Sequence, residues 1–463
     1  MPTAVHTLRQ IVRGKVIERD DPDYDEARKL YNGMIDKRPV AIVRCADVAD
    51  VMSAVGFARE TAMLLAIRGG GHNGPGLGSC DDGVVIDLSA MRGVRVDPAQ
   101  RTVRVDAGCT SGDVDHATHA FGLAVPFGLV STTGVAGLTL GGGTGYLTRQ
   151  FGLTIDNLLE ADVVLADGRF VTASEHSHPD LFWAIRGGGG NFGVVTSFLF
   201  RAHTVGMVYG GPVFWDAADG KAVMRAYREF LPSAPEELGS FVGLKTVPST
   251  EPFPREHWGR KVCAVISCFN GPAEKGEQVI APLLDAVPKP IFNWMNTVPF
   301  PALQSLFDPL IPKGLQWYWK GDLVKSLPDE AIDVHISNAA KAPSELSLMH
   351  LYPIDGAVHR VPKDATAWSA RDARWSMVIA GIDANPRSAE DLKRWGRSYW
   401  QAIHPFNLEG AYVNFMMDDE VRGRVEATYG ENYARLTEVK ALYDPTNLFR
   451  VNQNIPPCVG ATS

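Results

Sequence analysis

The chain has 463 residues, about three times the length of one ordinary domain, so two or three hydrophobic cores are expected and a small stapled scaffold is excluded. Hydrophobic residues make up 45% and charged residues 21%, and 46 Gly and 30 Pro are dispersed without a repeat, the composition of a chain folded throughout. Forty-five Lys and Arg against 53 Asp and Glu leave a formal charge of −8, with no basic run dense enough to track a phosphate backbone, so nucleic acid is not an expected partner.

The first thirty residues have no apolar signal core and turn acidic by Asp20, which argues against a secretory or twin-arginine leader. Up to residue 205 the sequence reads as short β-branched runs punctuated by glycine, with strands at 40–44, 64–67, 84–88, 103–105, 162–166 and 194–200 and a helix over 46–61. The stretch 117–148 carries no Asp, Glu, Lys or Arg, yet Pro126 and eight glycines break any spanning helix. It reads as a glycine-rich loop system against a large ligand, and no membrane is expected as a partner. Over 206–410 longer strands, 210–214 and 262–268, alternate with helices at 221–230 and 274–284, and Trp317, Tyr318, Trp319, Trp368 and Trp375 fall here. This pattern predicts an antiparallel sheet with helices on one face. The segment 411–463 is helical near 431–442 and ends in YDPTNLFRVNQNIPP, whose Asn and Pro content suggests a tail folded back on the body. The class is α+β.

Six cysteines (Cys45, Cys80, Cys109, Cys263, Cys268, Cys458) form no C-x-x-C pair and no zinc spacing, so neither disulfides nor a metal is indicated, and a cytoplasmic location is expected. His116 and His119 have helical spacing, and the pair is read as no metal site.

Three glycine clusters stand out: RGGGHNG at 68–74, GGGTG at 141–145 and RGGGGNFG at 186–193. Backbone without side chains lets N–H groups approach an anion such as a pyrophosphate. The first and third formally contain G-x-G-x-x-G, but a dinucleotide fingerprint must open a helix, and these run into strands, the first after further turn glycines. Each cluster alone could serve a tight turn. Three beside strands in one domain favour a shared ligand.

Together with GVAGLTLGGGTGYLTRQFGLTIDNLLEADVVLADG at 134–168, DLFWAIRGGGGNFGVVTSF at 180–198 and the tail, these segments resemble the berberine bridge enzyme-like FAD-linked oxidases of the vanillyl-alcohol oxidase and p-cresol methylhydroxylase superfamily. The resemblance covers essentially the whole chain. It implies a two-part FAD-binding domain over 1–205, a substrate domain over 206–410 and a segment, 411–463, that returns to the FAD domain. It implies FAD bonded to His72 through the 8α carbon, with Arg68, Gly69, Gly70, Gly71 and Asn73 in the same loop. Further cofactor contacts implied by it are Thr133, Gly134, Gly137, Gly141, Gly142, Gly143, Gly145, Asp156, Asn157, Gly190, Asn191, Gly193, Val195, Asn414, Asn452 and Asn454. Many relatives add a cysteine link; the register position here is Val130, which implies attachment through histidine alone, and Cys80 and Cys109 are out of register.

The resemblance also marks a Y-x-N strand, Tyr412-Val413-Asn414, in which alternation puts both side chains on one face. A hydride acceptor needs a base for the substrate hydroxyl proton, and Tyr412 is the candidate, with Lys320 as the cation that helps it ionise. A solvated strand-end lysine is the plainer reading of Lys320. Trp317 and Trp319 share a strand face opposite Tyr318 and form either core or a substrate wall. Arg360, after His359, either meets an anionic substrate group or forms a structural ion pair. The implied function is oxidation of a small alcohol, phenolic or sugar-like substrate, with dioxygen accepting the electrons and hydrogen peroxide as product. A quinone- or protein-linked dehydrogenase, or a flavin-bearing binding protein, stays open. Substrate identity and oligomeric state are not legible.

Overall fold

The computed structural model describes residues 2–458. Its first sheet has four strands, β1 (Lys15–Glu18), β2 (Ala41–Arg44), β3 (Leu65–Arg68) and β4 (Val84–Asp87), in the order β1-β2-β4-β3, with β2, β4 and β3 parallel. The helix Val48–Thr61 crosses from β2 to β3. It starts two residues later than its apolar pattern because Asp47 accepts hydrogen bonds from the N–H groups of Ala49 and Asp50 and so caps it. No helix fills the β3-to-β4 crossover, which consists of the first glycine turn and its extension.

The second sheet joins β5 (Val94–Asp97), β6 (Thr102–Asp106), β8 (Leu158–Val164), β9 (Phe170–Ser174) and β10 (Val194–Arg201) in the antiparallel order β5-β6-β10-β8-β9. A small ladder pairs β7 (Leu123–Ala124) with β11 (His203–Thr204). The strand expected at 162–166 begins four residues earlier, because Leu158 to Ala161 pair with β10, and ends where Leu165 enters the turn closed by Gly168.

From Met207 onward an eight-stranded antiparallel sheet dominates. Its strands are β12 (Met207–Asp216), β13 (Leu238–Thr246), β14 (Lys261–Phe269), β15 (Phe292–Asn293), β16 (Asn296–Pro299), β17 (Gln316–Val324), β18 (Leu348–Pro353) and β19 (Trp375–Asp383). Their order is β15-β12-β14-β13-β18-β19-β17, with β16 also pairing β12. One face packs on the amphipathic helices Gly220–Phe230, Gly276–Asp285, Asp329–Ala339 and Ala389–Ile403, burying Trp215, Val242, Leu244, Val265, Met349, Met377 and Ile379. The opposite face looks toward the glycine turns. After the helix Asn432–Tyr443, Lys440 and Asp444 form a fully buried ion pair, and Lys440 also donates to the carbonyls of Asn191 and Phe449. The tail is thereby tied to the third glycine turn. This is an α+β fold of two domains. Among the described residues no helix is long and apolar enough to cross a membrane.

Candidate active site

The first and third glycine clusters, and the turn at Gly134–Gly137 that precedes the second, line one cavity of about 460 Å³. β3 delivers the first. Arg68, at its end, donates to Asp87 at the end of β4 (2.9 Å), and the chain then turns through Gly69, Gly70 and Gly71, the last with φ of +67°. A Cβ on Gly70 would lie 2.6 Å from the backbone of Gly134, and one on Gly134 would lie 2.4 Å from the nitrogen of Gly70. The first two turns therefore touch backbone to backbone, which only glycine permits. At Gly137 and Gly190 the reverse holds: nothing lies within 4 Å of an added Cβ, and both line the cavity.

His72 stacks on Tyr31, with ring centroids 3.7 Å apart, and lines the cavity. Its Nε2 is buried without a hydrogen-bond partner, and burial pushes the imidazole down to about 4, so the ring is neutral and keeps a nucleophilic nitrogen lone pair. Cavity-lining Asn452 likewise has an unpartnered buried Oδ1, while its amide donates to the carbonyl of Gly190 (3.2 Å). The indole N–H groups of Trp317 and Trp319 on the facing sheet are also unpartnered. Unsatisfied polar atoms and two glycine gaps around one cavity fit a large, mostly planar cofactor with hydrogen-bonding edges. Arg68, Gly69, Asn73, Thr133, Asn191, Gly193, Val195 and Asn414 line the same space.

Tyr412 and Asn414 are brought together differently from expectation. They do not lie on a strand: the chain leaves the edge of β17 after Gly410, and Val413–Phe415 forms a tight turn closed by Phe415 N–H donating to the Tyr412 carbonyl. That turn lets the Asn414 amide donate to both the Leu138 carbonyl (3.1 Å) and the Tyr412 hydroxyl (2.8 Å). Gly143 N–H donates to the same hydroxyl oxygen (2.9 Å). Both acceptor sites of the phenol are thus filled, and its own proton has no acceptor among the described residues. Burial pushes the phenol up to about 12 against the two donors, which favour the phenolate.

The glycines 141–145 act behind this tyrosine and do not line the cavity. A Cβ on Gly141 would strike the Asn414 amide, one on Gly142 would meet Trp368 and Tyr412, one on Gly143 would strike Thr154, and one on Gly145 the Phe127 carbonyl. They let Tyr412 and Asn414 approach.

Other expected positions sit elsewhere. Lys320 does not help Tyr412: strand alternation sends Trp317 and Trp319 to the cavity and Lys320 to the opposite face, where Nζ pairs with Asp419 and Glu420 (both 2.7 Å) near Trp400. Asp156 is held by Arg371 through two 2.8 Å bonds and accepts from Leu153 N–H. Asn157 donates to the carbonyls of Phe151 and Leu153 and shares a 2.6 Å bond with His203. Neither lines the cavity, nor does Asn454, although its buried Oδ1 is unpartnered. Arg360 pairs with Glu236 at the surface. Val130 lines the cavity, whereas Cys80 and Cys109 are core thiols.

The sheet supplies the far wall. Phe214, Phe241, Lys245, Ile266, His350, Tyr352, Val378, Ala380, Trp317 and Trp319 alternate onto one face and line the cavity. Sequence reasoning missed Lys245, His350 and Tyr352. For His350 and Tyr352 the signal was a polar residue at every second place in the otherwise buried strand LMHLYP; Lys245, near the end of SFVGLKT, gave none.

Residues 39–174 match the family described as FAD binding domain, and residues 411–456 the family described as berberine and berberine like. An FAD-linked oxidoreductase of Dictyostelium discoideum is 31% identical over 98% of this chain and 97% of its own. (R)-6-hydroxynicotine oxidase of Paenarthrobacter nicotinovorans is 29% identical over 96% of this chain and 97% of its own. The crystal structure of 6-hydroxy-D-nicotine oxidase from Arthrobacter nicotinovorans superposes with a TM-score of 0.86 and 26% identity, covering 96% of this chain and 98% of that one.

Proposed function

The chain belongs to the berberine bridge enzyme-like FAD-linked oxidoreductases, and from that premise we propose that it oxidises a small organic alcohol, phenolic or sugar-like substrate with FAD bonded to His72 alone and with dioxygen as acceptor. Bound FAD supplies a two-electron acceptor for a hydride and a route for the electron pair to dioxygen, giving hydrogen peroxide.

The observation that carries this reading is Tyr412, cavity-facing, its hydroxyl oxygen already accepting from Gly143 N–H and the Asn414 amide. Expelling hydride from an alcohol that keeps its proton would leave a high-energy oxocarbenium, so a base must take the hydroxyl proton. The Tyr412 phenolate is that base, and the two N–H donors hold its charge in place of a lysine. His72 supports covalent attachment because its ring is neutral at working pH. Val130 supports single attachment, since it occupies cavity wall where a second, cysteine bond would form. Gly137 supports dioxygen, leaving open space where the helix Val135–Leu140 lines the cavity.

The test is anaerobic mixing of the purified holoprotein with a panel of primary alcohols, benzylic alcohols and oligosaccharides, followed by admission of air. Bleaching of the flavin band by one class, its return in air and stoichiometric peroxide are expected. Bleaching that persists in air would move the reading to a dehydrogenase, and no bleaching by any class would overturn the oxidation of neutral alcohols and sugars.

A further inference from the structure

Three charged side chains line the cavity among the described residues: Arg68, Glu251 and Lys245. Arg68 is neutralised by Asp87 at 2.9 Å, and Glu251 lies 3.8 Å from Arg255. Among the described residues Lys245 has no carboxylate within ion-pair distance and no hydrogen-bond acceptor. Its surroundings are aromatic: Nζ lies 5.7 Å from the Phe253 ring centre, Phe253 sits 5.2 Å from Trp294, and Phe241 and His350 are neighbours on the same sheet face. Lys245 is part of the lining of the cavity.

An ammonium group among aromatic walls without a counter-charge is costly, and the cost is relieved by an anion in the cavity. We propose that Lys245 is a specificity-determining residue that binds the carboxylate of an aromatic or otherwise apolar organic acid, so that the substrate is an anion whose apolar body runs along Leu348, Ala380 and Trp319. This rests on the functional reading above and names the substrate class for it. The register sets the scale. Lys245 pairs across to Leu348, Leu348 to Ala380 and Ala380 to Trp319, three strand spacings or about 14 Å. Trp319 abuts Gly74 of the first glycine turn, and Trp317 on the same face lies 5.6 Å from Tyr31, the residue stacked on His72. The carboxylate is therefore held at the end of the cavity remote from His72, and the oxidised carbon lies toward Tyr412.

The groups facing Lys245 do not compete for this role. On β18, the His350 Nδ1 shares a 2.7 Å bond with the Tyr352 hydroxyl; burial pushes His350 down to about 3 and Tyr352 up, so both are uncharged near neutrality. Val262, opposite Lys245 on β14, is apolar, and Glu251 lies in the loop that carries Phe253. Burial lowers Lys245 itself to about 8, so its positive charge is lost as pH rises through that value.

Calorimetric titration of the holoprotein with cinnamate and 2-naphthoate, each beside its neutral amide, tests the assignment without turnover. In the wild type the carboxylates are expected to bind at least tenfold more tightly than the amides at pH 7, and that preference is expected to fall above pH 8. In Lys245→Met, with flavin content and melting temperature unchanged, acid and amide are expected to bind alike. Equal binding of acid and amide by the wild type, absence of carboxylate binding, or a preference that survives in Lys245→Met would overturn the proposal. If Lys245→Met does not fold, the wild-type comparison and its pH dependence decide. Flavin attachment, scored separately by absorbance of the denatured chain, shows whether the functional reading has failed instead.

Discussion

On the side of the glycine turns the cavity wall is largely backbone, and Gly70 meets Gly134 with no room for a single carbon between them. On the sheet side the wall is made of side chains from six strands, set apart in sequence by more than a hundred residues and brought onto one face by alternation. The first wall tolerates little change, because what it presents is the closeness of main chain. The second can exchange any side chain that keeps the opposite face packed on its helices. One fold can thus hold one cofactor while varying what is presented to it.

The contrast can be broken at several points. The largest effect is expected at the junction of the two walls. Tyr412→Phe should lower the rate of flavin reduction about a thousandfold, within the range for loss of a general base, with flavin content unchanged in the absorption spectrum. With the phenol pushed up to about 12 and its ionised form proposed as the base, log(kcat/KM) in the wild type should climb by about one per pH unit between pH 6 and about 7.5, before Lys245 loses its charge. The slope should vanish in the variant; a flat wild-type profile would assign the proton to another group. Next comes Lys320→Met, which leaves Asp419 to Arg397 and the buried Glu420 to Arg424. It should cost about 2 kcal/mol, the loss of hydrogen bonds to charged groups, in denaturant melts while changing flavin reduction less than twofold; a large loss of rate at intact stability would restore Lys320 to the active site. Gly70→Ala should cost about 2 kcal/mol through overpacking and reduce bound flavin. Gly137→Ala should be smallest: its Cβ meets nothing in the protein and lies in the helix Val135–Leu140, so stability is expected to hold or rise by about 0.5 kcal/mol. Slower reoxidation in air is its expected signature, read by stopped-flow absorbance.

The glycine wall was legible in the sequence because its information is local. A run such as RGGGHNG needs no partner to announce close backbone approach, and the strands on either side follow from β-branched runs. Tyr412 and Asn414 were found through their motif, although the geometry that joins them is a tight turn and not strand alternation. Lys320 went astray because one residue of register decides which face a strand side chain takes, and the chain alone does not say which face meets the cofactor. Asp156 and Asn157 stand next to the second turn in sequence, yet their side chains are consumed by Arg371, His203 and local carbonyls. Lys245 was invisible for the complementary reason. A lone lysine at a strand end reads as solvated until the register of β13 against β18 places it inside a cavity.

His72 is where the glycine wall would become covalent. The wild type and His72→Ala should be denatured in acid, separated from free flavin, and measured for flavin absorbance on the polypeptide. Absorbance that stays with the wild-type chain and is lost from His72→Ala is the predicted result; flavin released from the wild type, or retained by the variant, would contradict it.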